Sequence, residues 1–282
     1  MSSRKIIYLD YNVFAYYFDG ETPDLCDYVD SLKSTYDFCY SPAHLEDVGS
    51  SLMWCGDIDE EEIKKVSQRA IDKVVSISKI TNDMEIVPGK ENNPAEFVTE
   101  FPAECLHRVL AGAHLNYELD PKERKMLDDY KAQDLEGKIS NVMANLPVDF
   151  LSRPEYEAPF IRKLDSSPQL RRKCAAAKVS DYSWKSISVS HEVMEHVFEV
   201  LFNHLEEIRY KPDHVRKSRS RMHDVSHAIY AAHTDFFVTN DGGLASKIRV
   251  AYSYLGVPTQ VIDYEDFIHS PELSNHSAPN AD

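Results

Sequence analysis

The chain has 282 residues and 43% hydrophobic side chains, enough to build a core for one large domain or two ordinary ones and to fold unaided. Its formal charge of -16 excludes non-specific attraction of nucleic acid over the whole surface, because polyanions repel at long range, so any nucleic acid must meet a local basic patch. With neither a basic leader before an apolar stretch nor a run of about 18 apolar residues, the sequence is expected to be a soluble, cytoplasmic protein without a membrane partner.

Lys5-Ile6-Ile7-Tyr8-Leu9 is an apolar run without alternation, the pattern of a parallel strand covered on both faces, and it stops at Asp10. Tyr36 to Tyr40 predicts a second strand leading into Ser41-Pro42, where Ser can cap a helix and Pro can take its first position. Leu45, Val48 and Leu52 then recur at helical spacing. Residues 61–185 read mostly as helices: Ile63, Val66, Ala70, Ile71 and Val74 share one face, and Asp120-Pro121-Lys122-Glu123 resembles a capped start. Ser190 to Ile208 is amphipathic through Val193, Val197, Leu201, Leu205 and Ile208.

Beyond a basic stretch, Met222 to His233 is helical in pattern and Phe236-Phe237-Val238-Thr239 is an apolar strand ending in Asn240-Asp241-Gly242-Gly243. Leu244 to Leu255 is helical again, stopped by Gly256 with Pro258 beyond, and Thr259 to Ile262 can form a last strand. This alternation predicts an α/β fold in which 1–60 and 186–268 form the core, 61–185 a helical insertion and 269–282 a frayed tail.

Acids that end buried strands are costly unless something offsets their repulsion and desolvation, and a bound cation is one such offset. Two acids leaving neighbouring parallel strands at their carboxyl ends, here Asp10 and Asp241, would point into one crevice. Glu46 and Asp224 sit on helices that such a crevice could recruit. Singly, each has an ordinary role: Asp10 and Asp241 as turn formers, Glu46 as surface charge, Asp224 as a first-turn acid favoured by the helix dipole. The histidines His223 and His227 are four apart, but the local sequence lacks the Glu of zinc proteases, and packing or capping is the simpler reading. Tyr8, Tyr11, Tyr16 and Tyr17 are read as core packing rather than base stacking. The five cysteines are widely spaced with no C-x-x-C pair, as for ordinary thiols.

In combination these segments resemble a known family, the PIN-domain nucleases. Tyr8-Leu9-Asp10-Tyr11-Asn12-Val13-Phe14 looks like its opening strand, and Ser41-Pro42-Ala43-His44-Leu45-Glu46 like its second motif. His223-Asp224-Val225-Ser226-His227-Ala228 is similar to the third, and Asp235-Phe236-Phe237-Val238-Thr239-Asn240-Asp241 to the fourth, all in family order. The likeness covers residues 1–60 and about 186–268; one departure is that Gly242-Gly243-Leu244-Ala245-Ser246 lacks the further acid of many relatives.

The resemblance implies a three-layer α/β/α core with a central parallel sheet, and Mg2+- or Mn2+-dependent hydrolysis of RNA, less often DNA. Hard divalent cations prefer carboxylate oxygens, in agreement with such a set. Asp10, Asp224 and Asp241 would be ligands, and Glu46 a ligand through water or an aid to positioning it. Asn12 and Thr239 would orient carboxylates by hydrogen bonds, with Asn240 a further candidate. Arg216, Lys217, Arg219 and Arg221 end three positions before Asp224 and would contact phosphates; Arg171, Arg172 and Lys173 read as a solvated face.

Two alternatives stand beside the nuclease. One is a phosphohydrolase with an Asp nucleophile, disfavoured because Asp10-Tyr11-Asn12 is not Asp-x-Asp. The other is a non-catalytic scaffold that binds a protein partner, or a second copy, through the helical insertion.

Overall fold

The computed structural model describes residues 4–19, 22–53, 59–89, 93–112, 125, 128–130, 132, 134, 137–178, 190–212 and 218–269. Strand β1 (Lys5–Leu9) passes through Asp10 directly into helix α1 (Tyr11–Asp19), and α2 (Pro23–Leu32) returns the chain to β2 (Tyr36–Cys39) and α3 (Pro42–Met53). Then come α4 (Glu60–Thr81), strands β3 (Met84–Pro88) and β4 (Ala95–Thr99), and α5 (Pro102–Gly112). Short α6 (Lys138–Met143), a 3-10 turn at Phe150–Ser152, α7 (Pro154–Ser166) and α8 (Pro168–Ala176) complete the middle of the chain. The last part is α9 (His191–Glu207), α10 (Ser218–Ala231), β5 (Phe236–Thr239), α11 (Gly242–Leu255), β6 (Gln260–Asp263) and α12 (Tyr264–Ile268).

Four strands form one parallel sheet in the order β2-β1-β5-β6. From β1 the chain moves outward to β2; from β5 it moves the opposite way to β6. The connections therefore diverge between β1 and β5, and in open parallel sheets that divergence leaves a crevice at the carboxyl ends of the two strands. Both faces of the sheet are covered, which is why its strands read as unbroken apolar runs. Ile7, Leu9, Phe236, Val238 and Ile262 join one apolar cluster with side chains of α1 to α4, while Tyr8, Cys39 and Phe237 join the other with α7 to α11. The fold is α/β, and the arrangement is compatible with three layers.

Side chains from 61–185 enter both clusters: Val74 and Ile77 of α4 on one side, Phe150, Phe160, Leu164 and Leu170 on the other. This part also holds an antiparallel ribbon, β3 with β4, registered from Met84 opposite Thr99 to Pro88 opposite Ala95, which the helical reading did not anticipate. Two five-residue runs, one with a buried acid, Glu85, at its second position, give no clear period to read. The predicted capped start at Asp120 and the tail from Ser270 onward lie outside the described residues.

Helix α9 presents Val193, Val197, Leu201 and Leu205 to the core, as its periodicity predicts. Helix α11 starts under the cap of Asp241 and ends at Gly256, whose φ of 69° is the left-handed conformation that glycine adopts without steric cost. Helix α10 begins at Ser218 rather than Met222, so Asp224 sits in its second turn and not its first. The Ser-Arg-Ser-Arg start of α10 has no apolar period to announce it.

Lys247 of α11 and Glu206 of α9 form an ion pair with both side chains 3% exposed. Removing the opposite charge from a buried carboxylate costs about 3–5 kcal/mol. Lys247→Ala is therefore expected to destabilise the chain by about that amount in urea unfolding, several times the loss from a substitution at exposed Lys65.

Candidate functional site

Asp10 terminates β1 and its carbonyl starts α1, receiving the amides of Val13 and Phe14. Its own amide continues the sheet ladder to the carbonyl of Val238 at 2.8 Å, so the backbone is held on both sides. The carboxylate is 6% exposed: Oδ1 takes the amide of Tyr11 at 2.7 Å and Oδ2 takes the hydroxyl of Thr239 at 2.6 Å. Thr239, foreseen as orienting a carboxylate, is placed in hydrogen-bond contact with Asp10.

Asp241 lies at the corresponding end of β5. Its Oδ1 accepts from the amides of Gly243 and Leu244, both at 2.9 Å, capping α11. A Cβ at Gly243 would come 3.1 Å from that oxygen, so glycine there lets the carboxylate curl over the helix end. The Asp241 amide donates to Thr239 Oγ1 at 3.1 Å, and Thr239 thereby links the two strand-end acids. Asn12 reaches the same hydroxyl through Nδ2 at 3.5 Å, and its Oδ1 takes the Asn240 amide at 3.3 Å. Asn240 is exposed and its side chain donates to Tyr16 Oη at 2.6 Å rather than to a carboxylate.

Helices α3 and α10 close the other side. Glu46 Oε2 lies 3.6 Å from His223 Nδ1. The next residue, Asp47, receives two histidines of α10: Oδ2 is 3.0 Å from His227 Nε2, and Oδ1 is 3.6 Å from His223 Nδ1. His227 Nε2 also faces Asp10 Oδ1 at 4.0 Å. The i,i+4 histidines are thus packed, as the sequence suggests, but against carboxylates. Asp224, on the same helix, acts electrostatically on His227. Among the described residues, no three His, Cys, Asp or Glu side chains stand at ligating distance of a common point.

Behind His227 runs a buried polar chain. Tyr8 Oη is 2.7 Å from His227 Nδ1 and 2.6 Å from Ser41 Oγ. The hydroxyl of Ser41, foreseen as a helix cap, turns instead to Tyr8 and His44. His44 Nε2 donates to the carbonyl of Leu9 at 2.7 Å, while its Nδ1 accepts the Ser41 amide at 3.0 Å. Tyr8 is therefore more than core packing, whereas Tyr17 is buried and Tyr11 and Tyr16 are half-buried.

Charge follows from these contacts. Burial raises the Asp10 carboxyl above its ordinary value, against the lowering pull of His227 and Thr239. Burial likewise pushes Glu46 up to about 7, opposed by His227 and assisted by Asp47 and Glu195. For His227, burial favours the neutral ring, but the hydrogen bond to Asp47 and the charges of Asp10 and Asp224 outweigh it and raise its pKa. Burial and His227 hold His44 well below the usual histidine range. The crevice therefore favours positive charge at His227 and resists a full set of ionised acids.

Of the four acids foreseen from sequence, Asp10 and Asp241 are linked through Thr239 and Glu46 lies beside His223, while Asp224 is placed on α10 between His223 and His227 in sequence. Asp47 was missed, although it adjoins Glu46 and the spacing of His223 and His227 was a usable signal. Arg219 and Arg221 lie on the first turn of α10, while Arg216 and Lys217 fall outside the described residues. Lys173 of the other basic cluster pairs with Glu195 at 3.3 Å. No helix of the described residues is long and apolar enough to cross a membrane. No family model, curated protein or solved structure matches the chain.

The raised Glu46 carboxyl sets a direction for pH dependence. Between its unfolded value near 4.5 and about 7, the folded chain binds more protons, so this group's contribution to stability falls as pH rises through that window. Glu46→Gln removes the effect: with a chelator present, its stability relative to the parent is expected to grow by up to about 3 kcal/mol from pH 4.5 to 8, measured by denaturant unfolding.

Proposed function

We propose that this chain is a divalent-cation-dependent nuclease of PIN-like architecture, hydrolysing phosphodiester bonds in RNA. The observation that supports the reading is that Asp10 and Asp241 leave the carboxyl ends of the neighbouring strands β1 and β5, where the strand connections diverge, and are joined through Thr239. Carboxylate oxygens are the donors that a hard cation prefers, and desolvation raises the proton affinity of Asp10 and Glu46; among the described residues these acids do not stand together as a ready-made metal cage.

Asp10, Asp224 and Asp241 would hold Mg2+ or Mn2+, with Glu46 holding it through water or aligning the attacking water. Such an ion, when bound, supplies Lewis acidity at the phosphate and makes water a stronger nucleophile at neutral pH. The chain's own part is positional. Thr239 fixes one oxygen of Asp10, the amides of α11 fix one oxygen of Asp241, and Asn12 steadies Thr239 and Asn240. Arg219 and Arg221, four and two residues before His223, are suited to neutralise backbone phosphates that the acidic surface would otherwise repel.

A second reading is a scaffold without catalysis, favoured by one contact: the Nε2–H of His227, seated between Asp47 and Asp10, already offsets part of the acidic charge. Calorimetric Mn2+ titration separates the two. The nuclease reading expects Mn2+ binding and cleavage of at least one member of an RNA panel, with cleavage lost about 100-fold or more in Asp10→Asn and Asp241→Asn. Asparagine still offers an acceptor to the α11 amides, so Asp241→Asn keeps its cap; full activity in that variant removes Asp241 from the site.

Arg219→Ala and Arg221→Ala are expected to raise the substrate KM and to lower the slope of log affinity against log salt by about 1 each. Unchanged kinetics would make them ordinary surface.

A further inference from the structure

Two buried histidines of α9 face the middle of the chain rather than the crevice. We propose that His196 and His204 form an acid-sensitive joint: as neutral rings they dock α8 and α7 on α9, and their protonation below neutral pH releases those two helices while the parallel sheet stays formed. The joint is independent of the chemistry proposed for Asp10.

His204 is 1% exposed. Its Nε2 lies 3.1 Å from the carbonyl of Tyr156 on α7, which can only accept, so the neutral ring carries its proton there. The Nδ1 lone pair then faces Lys163 Nζ of α7 at 3.5 Å and Glu207 Oε2 of α9 at 3.6 Å, and Lys163 and Glu207 pair with each other. Phe160 stacks on the ring at a centroid separation of 5.8 Å, and Tyr254 of α11 meets Phe160 edge-on with its hydroxyl bonded to Glu157. A second proton, on Nδ1, points at the Lys163 ammonium. Glu207 can answer it only by giving up part of its hold on Lys163, so charging the ring weakens the contact between α7 and α9. Burial, and then Lys163, hold this histidine down at about 4.

His196 is 6% exposed and makes the matching contact to α8. Its Nε2 is 2.7 Å from Ser167 Oγ, the oxygen that caps α8 by accepting the Leu170 amide at 3.2 Å. The hydroxyl proton can go to Nε2, leaving the ring proton on Nδ1 toward Glu199 of α9 at 3.6 Å. Protonation turns Nε2 into a donor and makes that one hydroxyl oxygen accept twice. Burial, then Lys173 of α8, keep the ring below the usual histidine range, against the pull of Glu195 of α9, with which Lys173 pairs at 3.3 Å.

Between the ordinary value of 6.5 and about 4, an opened His204 binds a proton that the docked ring refuses, so opening grows as pH falls through that window. The bonds at stake run from α9 to α7 and α8, whereas the ladder from β2 to β6 is joined strand to strand.

Hydrogen exchange followed by mass spectrometry on the full chain in a chelator, at pH 7.5 and pH 5 and corrected for intrinsic exchange, tests the joint. Amides of α7 and α8 are expected to lose protection about thirtyfold on acidification from His204 alone, and those of β1 and β5 far less. His196→Gln combined with His204→Gln keeps side-chain donors toward Ser167 and Tyr156 but cannot titrate; it is expected to abolish the extra loss and to leave protection at the higher pH within a few-fold of the parent. Should that variant fail to fold, Lys163→Met carries the test: with the facing ammonium gone, the loss on acidification is expected to shrink several-fold. Equal loss in α7, α8, β1 and β5 of the parent, or a loss that the variants leave unchanged, overturns the joint.

Discussion

A carboxylate set into the covered end of a parallel strand is the constraint from which the rest of this architecture follows. Asp10 has a strand ladder on one side and a helix start on the other, with no intervening loop to carry it into solvent. Burial of an unpaired charge there would cost several kcal/mol, so every neighbouring element supplies something polar: a hydroxyl from β5, an amide from α1 and an imidazole from α10. Because these donors come from elements far apart in sequence, holding Asp10 also fixes how β1, β5 and α10 meet.

The period-two alternation of β1 divides the labour. Ile7 and Leu9 fill one apolar layer, while Tyr8 faces the other and brings a hydroxyl into an otherwise hydrocarbon cluster. A buried tyrosine hydroxyl needs partners, and Ser41 and His227 provide them. The layer behind the crevice is therefore a mixed one, in which Phe237, His44 and His227 pack around Tyr8 at ring separations of 4.7 to 5.9 Å. Polar groups that must all be satisfied at once leave fewer alternative packings than hydrocarbon would.

Much of the sheet was legible in the sequence, because it depends on local patterns. Unbroken apolar runs mark the strands, and acids or Gly-Gly immediately after them mark their ends; Asp10 and Asp241 were readable for that reason. Helix α9 was readable from its stripe and the end of α11 from Gly256. What stayed hidden depends on partners far along the chain. Nothing near Asp47 says that two histidines 176 and 180 positions away will grip it, and nothing near Tyr8 says that its hydroxyl will be seated between two helices. The ribbon of β3 and β4 escaped for another reason: its pairing is satisfied by register, and its buried Glu85 is explained by distant partners, among them Arg108 at 2.8 Å and Tyr40.

That ribbon reaches the main sheet at a single bridge, where the Tyr40 amide donates to the carbonyl of Met84 and the Ile86 amide to the carbonyl of Tyr40. Strand β2 is an outer member of the sheet, and an outer strand presents ladder groups that can pair with another chain. The bridge blunts one end of this margin with backbone from residues 84–86, reinforced by Glu85 and Tyr40 beneath it. Trimming the chain to its parallel-sheet core by excising its middle would therefore uncover sticky strand margin as well as hydrocarbon, and such a truncation would trade a smaller protein for an aggregating one.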